Sequence, residues 1–445
     1  MNLDRHIADR LEAAVAPRAA ICVGFSGGLD SMVLLDALAR VAPARGHAVS
    51  AVHVHHGLSA NADAWADFCA NACAARGIAI AVERVHVRRP ARDGLEAAAR
   101  AARYAIYAAR AEPVVALAHH LDDQAETLLL QVLRGTGLKG LAGMPELRAL
   151  PGSRVALFRP LLGIARATLR EEARRRELEW IEDESNASLG PDRNFIRHEI
   201  APRLDARFEG WREAAARCAS HAGAGLGLLD ELARVDGVAR APGEGLALDR
   251  SLPSARRANA LRAFLALEGL AMPSEARLAE MARQLYEARA DARVRIAHDG
   301  VMLARHRGIA RIARDAAGEA GEAWRVAWRG EEELDLGSGR GSIRFAPALG
   351  AGIPAALRAA GEWHFAPRRG GERVRLAAGS RSRTLKNLLR EASIPEWERV
   401  RLPLLFQGER VAWVPGIGVA ADFACAPGAP GLVPAWSPPR NPPAG

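Results

Sequence analysis

Residues 26–31, Ser-Gly-Gly-Leu-Asp-Ser, lie between two apolar runs, Ala20-Ile-Cys-Val-Gly-Phe25 and Met32-Val-Leu-Leu35. That order predicts a buried strand, a tight glycine turn and a helix. Such a turn presents backbone amides at a helix start, here flanked by the Ser26 and Ser31 hydroxyls, and so forms a receptor for anionic oxygens. Gly27 and Gly28 permit a closeness of approach that a Cβ would resist. The pattern is not G-x-x-x-x-G-K-[ST], because no lysine lies near Ser26, and it is not G-x-G-x-x-G. Asp30 would repel a bare phosphate, so its presence implies a bridging Mg²⁺ or a helix cap. An ordinary capped turn would use the same residues, but hydroxyls on both sides favour a nucleotide phosphate. Ser26, Gly27, Gly28, Leu29, Asp30 and Ser31 are the candidate binding residues, and Asp30 is the candidate metal ligand.

Strand-like runs at 20–25, 48–54, 78–87 and 113–118 alternate with helical patterns at 31–41, 60–76, 94–110 and 122–134. Alternation of this kind predicts a parallel α/β sheet, with ligands at the carboxyl ends of its strands. The glycine loop, His53-Val-His-His56 and His119-His120 all fall at such ends. Residues 205–290 are rich in Ala, Arg and Leu and read as helical, 291–345 contain short strand-like pieces, and Gly350–Pro354 reads as a linker. The Pro/Gly-rich end reads as disordered. The expected architecture is α/β: a parallel-sheet N-terminal domain over 1–205, a mainly helical domain over 206–350, a small α+β domain over 351–427 and a disordered tail over 428–445.

The chain has 445 residues and a net charge of +9, but lysine occurs only at Lys139 and Lys386. Nearly all of the positive charge is therefore arginine, which is compatible with a nucleic-acid partner and equally with compositional drift. Five cysteines, Cys22, Cys69, Cys73, Cys218 and Cys425, are widely spread and odd in number, which argues against a disulfide framework. The N-terminal segment carries acids and lacks the apolar core of a signal peptide, and no run is long enough to span a bilayer. A cytoplasmic location with no membrane partner is expected.

A second constellation runs from His119 to Leu141 and begins where strand 113–118 stops. Asp122 or Asp123 can cap the following helix. Helical spacing places Glu126 one turn from both acids on one face. Paired carboxylates at a strand end can bind Mg²⁺ or a ligand ammonium, and His119 can serve as acid, base or phosphate partner. A zinc site is the weaker reading, since no H-E-x-x-H spacing is present.

SGGLDS resembles the PP-loop of the N-type ATP pyrophosphatases, and the run His119-His-Leu-Asp-Asp-Gln-Ala-Glu126-Thr resembles the signature of the tRNA(Ile)-lysidine synthetase family. Further similarities are Glu96-Ala-Ala-Ala-Arg100-Ala-Ala-Arg103-Tyr104, Arg159-Pro-Leu-Leu162 with Arg166, Trp180-Ile-Glu-Asp183-Glu-Ser185-Asn186, and Arg193-Asn194-Phe-Ile-Arg197-His198. Leu385–Leu389, Ile394-Pro395, Trp397, Pro403–Leu405 and Val411–Trp413 resemble the family's last domain. One departure is Ser59 after His56-Gly57-Leu58, where many members carry arginine.

The resemblance implies an ATP-dependent ligase that joins the ε-amine of L-lysine to C2 of the wobble cytidine in an isoleucine tRNA with a CAU anticodon. ATP is its co-substrate and Mg²⁺ its cofactor, and a homodimer is an expected assembly. Asp123 and Glu126 would hold lysine, with Asp122 as a substitute. Asp30, His119, Arg100 and Arg103 would act on the adenylate or cytidine, and Arg193, Asn194, Arg197 and His198 are candidate substrate contacts. The alternatives are a PP-loop tRNA thiolase, against which the absence of any C-x-x-C pair counts, and an amide-forming PP-loop synthetase.

Overall fold

The computed structural model describes residues 2–57, 59–85, 95–182, 192–239, 243–289, 292–313, 324–337, 340–359 and 361–438. The chain divides into two compact units, residues 1–229 and 230–445. The expected boundary at 205 falls inside the first of them.

The first unit opens with α1 (Leu3–Ala14), then β1 (Ile21–Gly24), α2 (Leu29–Val41), β2 (Val49–His55), α3 (Ala62–Ala74), β3 (Ala79–Arg84), α4 (Leu95–Ala108), β4 (Val114–Ala116) and α5 (Leu121–Leu133). It continues through α6 (Leu138–Leu141), β5 (Leu147–Ala149), β6 (Ala156–Phe158), α7 (Arg166–Arg175), α8 (Asp192–Phe195), α9 (Ala201–Arg207) and most of α10 (Trp211–Val235), whose last residues belong to the second unit. Among the described residues the sheet has six strands in the order β3-β2-β1-β4-β6-β5. All neighbours are parallel except β5, which pairs antiparallel with β6.

The central strands, Ile21-Cys-Val and Val114-Val-Ala, are buried along their length. That fits a parallel sheet covered on both faces. One face packs on α1, α2 and α7 through Ile7, Leu11, Leu34, Leu38 and Leu169. The other gathers Cys22, Val52, Val115 and Leu157 against Tyr107 of α4. The chain runs outward from β1 to β3 and returns on the far side of β1 to make β4. The strand order therefore reverses between β1 and β4, where the carboxyl ends leave a crevice.

α2 is anchored by charge as well as by apolar contact. Its buried Asp36 accepts from Arg40 at 2.5 Å, Arg76 at 3.2 Å and Arg176 at 3.0 Å, tying the helix that leaves the glycine loop to α3 and to the end of α7. Between α8 and α9 the helix widens into one π turn, Ile196–Ile200. Pro202 follows at the start of α9; it has no N–H to donate back into the preceding turn, so the regular hydrogen-bond ladder cannot pass through it.

Over 206–350 the expected helices are joined by short strands, which fall mostly where strand-like pieces were expected. Two helices, α11 (Ser254–Leu267) and α12 (Glu275–Glu287), pack with an antiparallel sheet of β7 (Leu246–Ala247), β8 (Arg295–His298), β9 (Val301–His306) and β10 (Ile309–Ala313), ordered β7-β10-β9-β8. Its hairpins turn on Asp299-Gly300 and Arg307-Gly308, all four with positive φ, the geometry of two-residue type I′ turns.

The C-terminal part holds a sheet formed by Val326–Trp328, Trp363–Ala366, Leu404–Gln407, Arg410–Val414 and Gly418–Val419. Trp413 lies in its core. Trp397 is half-buried and meets His306 edge-on at 5.9 Å.

The linker and the disordered tail are corrected. Pro430–Ser437 is a strand that pairs antiparallel with Ser342–Leu349 over its whole length, and Ile353-Pro354 joins its other edge. Pro434 is tolerated because Ile353-Pro354 reaches only Gly431 and Leu432, which among the described residues leaves the strand edge at Pro434 unpaired on that side. Residues 439–445 of the tail, and Asp183, Ser185 and Asn186 of the Trp180–Asn186 motif, lie outside the described residues.

Glu112, just before β4, accepts from Ser50 Oγ at 2.5 Å and from Arg110 Nη2 at 3.0 Å. Burial alone would raise its pKa, but the Arg110 and Ser50 hydrogen bonds outweigh that and bring it to about 2. Its contribution to stability is therefore full above the ordinary value of 4.5 and is lost as pH falls towards about 2. In chemical denaturation across that window, Glu112→Gln is expected to reduce the loss of stability with falling pH. An unchanged pH slope would refute the assignment.

Candidate active site

The loop after β1 is shaped by its own hydroxyls. Ser31 Oγ donates to the Gly28 carbonyl at 2.9 Å and lies 3.1 Å from Ser26 Oγ. Gly28 is the N-cap of α2 and has no side chain to satisfy the helix's first amides, so those amides remain available to an anion. Gly27 has φ +82°, and a Cβ there would sit 2.5 Å from Ile181 Cδ1 and 2.9 Å from Cys69 Sγ. Ile181 also donates its amide to the Gly27 carbonyl at 2.9 Å, fixing the loop from behind. Leu29 is buried, so it supports the loop through packing.

Across the crevice, α5 begins with a capping box built on a histidine. The His120 amide donates to Asp123 Oδ2 at 3.0 Å, and the Asp123 amide donates to His120 Nδ1 at 3.4 Å. His120 is 2 % exposed, and its Nε2 lies 3.6 Å from Asp30 Oδ2. The ring thus joins the two helix starts that face each other at the switch point. Burial alone would lower its pKa, but Asp30, Asp123 and Asp122 outweigh burial and raise it.

The three acids of α5 have different surroundings. Asp122 accepts the Arg166 amide at 2.9 Å and meets Arg212 Nε at 2.8 Å, so it caps α7 and ties down α10. Asp123 Oδ1 meets Arg193 at 2.9 Å and Arg197 at 3.3 Å. Glu126 meets Arg193 Nε at 2.8 Å and Arg197 Nε at 2.7 Å. Asp123 is held below its ordinary value: burial opposes this, and His120 and Arg193 overcome it. For Arg197, burial would weaken the bound proton, and Glu126 and Asp123 more than restore it. Two carboxylates and two guanidiniums thus form one compact, charge-balanced group. On the same helical stretch Asn194 is half-buried and His198 is exposed.

His119 is held neutral. Burial, then the charges of Arg159, Arg193 and Arg100, lower its pKa to about 3 against the opposing effect of Asp123. It suits hydrogen bonding rather than proton storage at neutral pH. Arg100 and Arg103 are both exposed on α4 but diverge. Arg100 donates to the Tyr104 hydroxyl at 3.1 Å. Arg103 acts on His56, whose pKa falls to about 4 through burial first and Arg103 second.

A family model described as a PP-loop domain matches residues 2–204. Models of the TilS substrate binding domain and the TilS substrate C-terminal domain match residues 250–310 and 364–436. A tRNA(Ile)-lysidine synthase of Azoarcus sp. (strain BH72) is 45% identical over 433 residues, covering 96% of this chain and 93% of that protein. The tRNA(Ile)-lysidine synthase of Nitrosomonas europaea is 39% identical over 432 residues, covering 96% and 94%. The chain belongs to the tRNA(Ile)-lysidine synthase family.

Within this lysidine synthase fold, several contributors escaped the sequence reading. His120 rather than His119 joins the loop to α5, although the His-His pair was visible. Arg166, visible only beside the Arg159-Pro-Leu-Leu162 similarity, and Arg212 hold Asp122 from 44 and 90 residues away along the chain, contacts for which there was no local signal. The buried thiols of Cys22, Cys69 and Cys73 are pushed up by burial to about 11, 12 and 11, which removes thiolate character at neutral pH. Asp30 suits a magnesium ligand. Its Oδ1 is buried and accepts no hydrogen bond among the described residues, although Arg166 Nε lies 3.5 Å away as an ion-pair partner, and Mg²⁺ characteristically takes one or two carboxylates together with substrate phosphates.

Gly27→Ala is expected to weaken ATP binding by about tenfold or more, because a positive-φ site and two close contacts strain the loop by about 1–3 kcal/mol. Calorimetric titration with ATP checks this. Wild-type affinity would show that the loop tolerates a Cβ.

Proposed function

We infer that the chain is the ligase that forms lysidine on an isoleucine tRNA, using ATP and L-lysine. Cytidine O2 attacks the α-phosphate of ATP and pyrophosphate leaves. The lysine ε-amine then attacks C2 and AMP departs. The loop amides of α2, with Ser26 and Ser31, suit the negative charge that collects on pyrophosphate. Mg²⁺ held by Asp30 would supply further neutralisation of the phosphate oxygens.

The observation that carries the lysine reading is the cluster of Asp123, Glu126, Arg193 and Arg197, one helix start away from the glycine loop. Free lysine brings two ammonium groups and one carboxylate. A group of two acids and two guanidiniums complements it: an ammonium takes carboxylate oxygens from Asp123 and Glu126, and the lysine carboxylate takes the guanidinium donors so released. Exchanging ion pairs for ion pairs avoids leaving any buried charge alone, which would cost several kcal/mol. Burial of Cys22, Cys69 and Cys73 counts against the thiolase alternative.

Glu126→Gln keeps the shape and removes the charge. It is expected to leave tRNA adenylation, followed by pyrophosphate release, close to wild type, and to raise KM for lysine by roughly 10- to 100-fold, the size of one lost charge-assisted hydrogen bond. Unaltered lysine KM in the variant would overturn the role.

A further inference from the structure

One group of charges in the first unit is not used by the loop, by the acid cluster or by the apolar core. β5 and β6 pair with Arg148 opposite Leu157. Arg159 is two residues beyond Leu157, so both arginines stand on one face of the sheet, the face covered by α4. There they meet Tyr104. Arg100 and Arg148 lie 5.1 and 5.6 Å from the centre of its ring. Arg159 is 2 % exposed. Its Nη1 donates to the Pro145 carbonyl at 2.8 Å, and its Nε has no hydrogen-bond partner among the described residues.

Among those residues, the partners of these three guanidiniums are a phenol, its ring and a backbone carbonyl. None is a carboxylate. Elsewhere this chain gives its buried charges partners, as at Asp36, Glu126 and Asp236. A buried guanidinium without a counter-charge is costly. The local field is correspondingly positive. Burial alone would raise the pKa of Tyr104, yet Arg100, Arg159 and Arg148 bring it below its ordinary value. The same Arg159 and Arg100 help hold His119 neutral.

We propose that Tyr104, Arg100, Arg148 and Arg159 form a receptor for an RNA backbone phosphate beside the nucleotide being modified. Guanidinium forks and a phenol hydroxyl are phosphate donors. One buried arginine at the base and two exposed ones at the mouth suit an anion that arrives from solvent on a polymer. The phosphates of ATP have their own amide site at the start of α2. His119 feels the charges of Arg159 and Arg100 from this group and of Asp123 from the acid cluster, so an RNA phosphate held here stands beside the residues around His119. The proposal rests on the tRNA reading above.

The test uses the full chain and anticodon stem-loop RNAs in which a methylphosphonate, which carries no charge, replaces the linkage 5′ or 3′ of the target cytidine. With wild type, one of the two is expected to raise KM for RNA by about tenfold or more, with KM for ATP and lysine unchanged. Arg148→Ala, at an exposed position, is expected to raise KM for unmodified RNA by a similar factor and to show no further penalty from the neutral linkage. Penalties that multiply in the variant would overturn the proposal. So would a weakening of pyrophosphate inhibition in Arg148→Ala, which would assign the site to ATP. Lysidine formation by wild type on the unmodified stem-loop is the separate check on the function itself; its failure would be a failure of that reading.

Discussion

His120 is a histidine in a position where Ser, Thr, Asp and Asn are the usual choices, and the difference matters for the site. A small capping residue satisfies one amide and ends there. The imidazole accepts the Asp123 amide on Nδ1 and extends Nε2 to within 3.6 Å of Asp30, so the start of α5 is coupled to the start of α2. Acceptance at Nδ1 places the ring proton on Nε2, facing the carboxylate. The two helix N-termini at the switch point are thereby held in one geometry by a ring that is almost wholly buried. Asp36 performs the matching task at the far side of α2, where three arginines from different elements converge on it. Between them, the loop has little freedom to drift relative to the acids.

The acid cluster depends on that placement. Asp123 is fixed through its cap to His120, and Glu126 is one turn further on. Arg193 on α8 and Arg197 in the π turn both reach the two acids. In a region shielded from water, four charges so arranged attract strongly but also carry a large desolvation penalty. Such a group is poorly suited to adding bulk stability and well suited to exchanging partners with a zwitterion of matching charges.

Much of this was legible in the residues. The strands and helices from β1 to α5 lie within a few residues of where hydrophobic alternation and capping placed them, because a buried parallel sheet writes itself as short apolar runs between glycine and acid signals. The loop was legible for the same reason. The pairing of Glu126 with Arg193 and Arg197 was not, since helix spacing reports only neighbours on one helix and these partners lie 67 and 71 residues away. Three strands of the second unit's helix-packed sheet fall within 291–345, where strand-like pieces were legible, and their Asp299-Gly300 turn is a hairpin signal; the fourth, Leu246–Ala247, is two residues long and lay in a stretch read as helical. Pro430–Ser437 misled on composition: proline and glycine suggest disorder, but an edge left open at Pro434 lets proline stay in a strand.

Arginine content by itself located nothing. A chain with a net charge of +9 carried almost wholly by arginine would be equally basic whether its guanidiniums bound RNA or stitched helices together. What separates the two uses is pairing. Arg76 and Arg176 end on Asp36, and Arg193 and Arg197 end on Asp123 and Glu126. These arginines have their counter-charge within the fold and cannot hold a phosphate without giving it up. Arg100, Arg148 and Arg159 share a phenol instead, with one of them buried. In an arginine-rich protein the informative residues for polyanion binding are therefore those whose charge the fold has left uncompensated, and here two of them, Arg159 and Arg100, also act on His119.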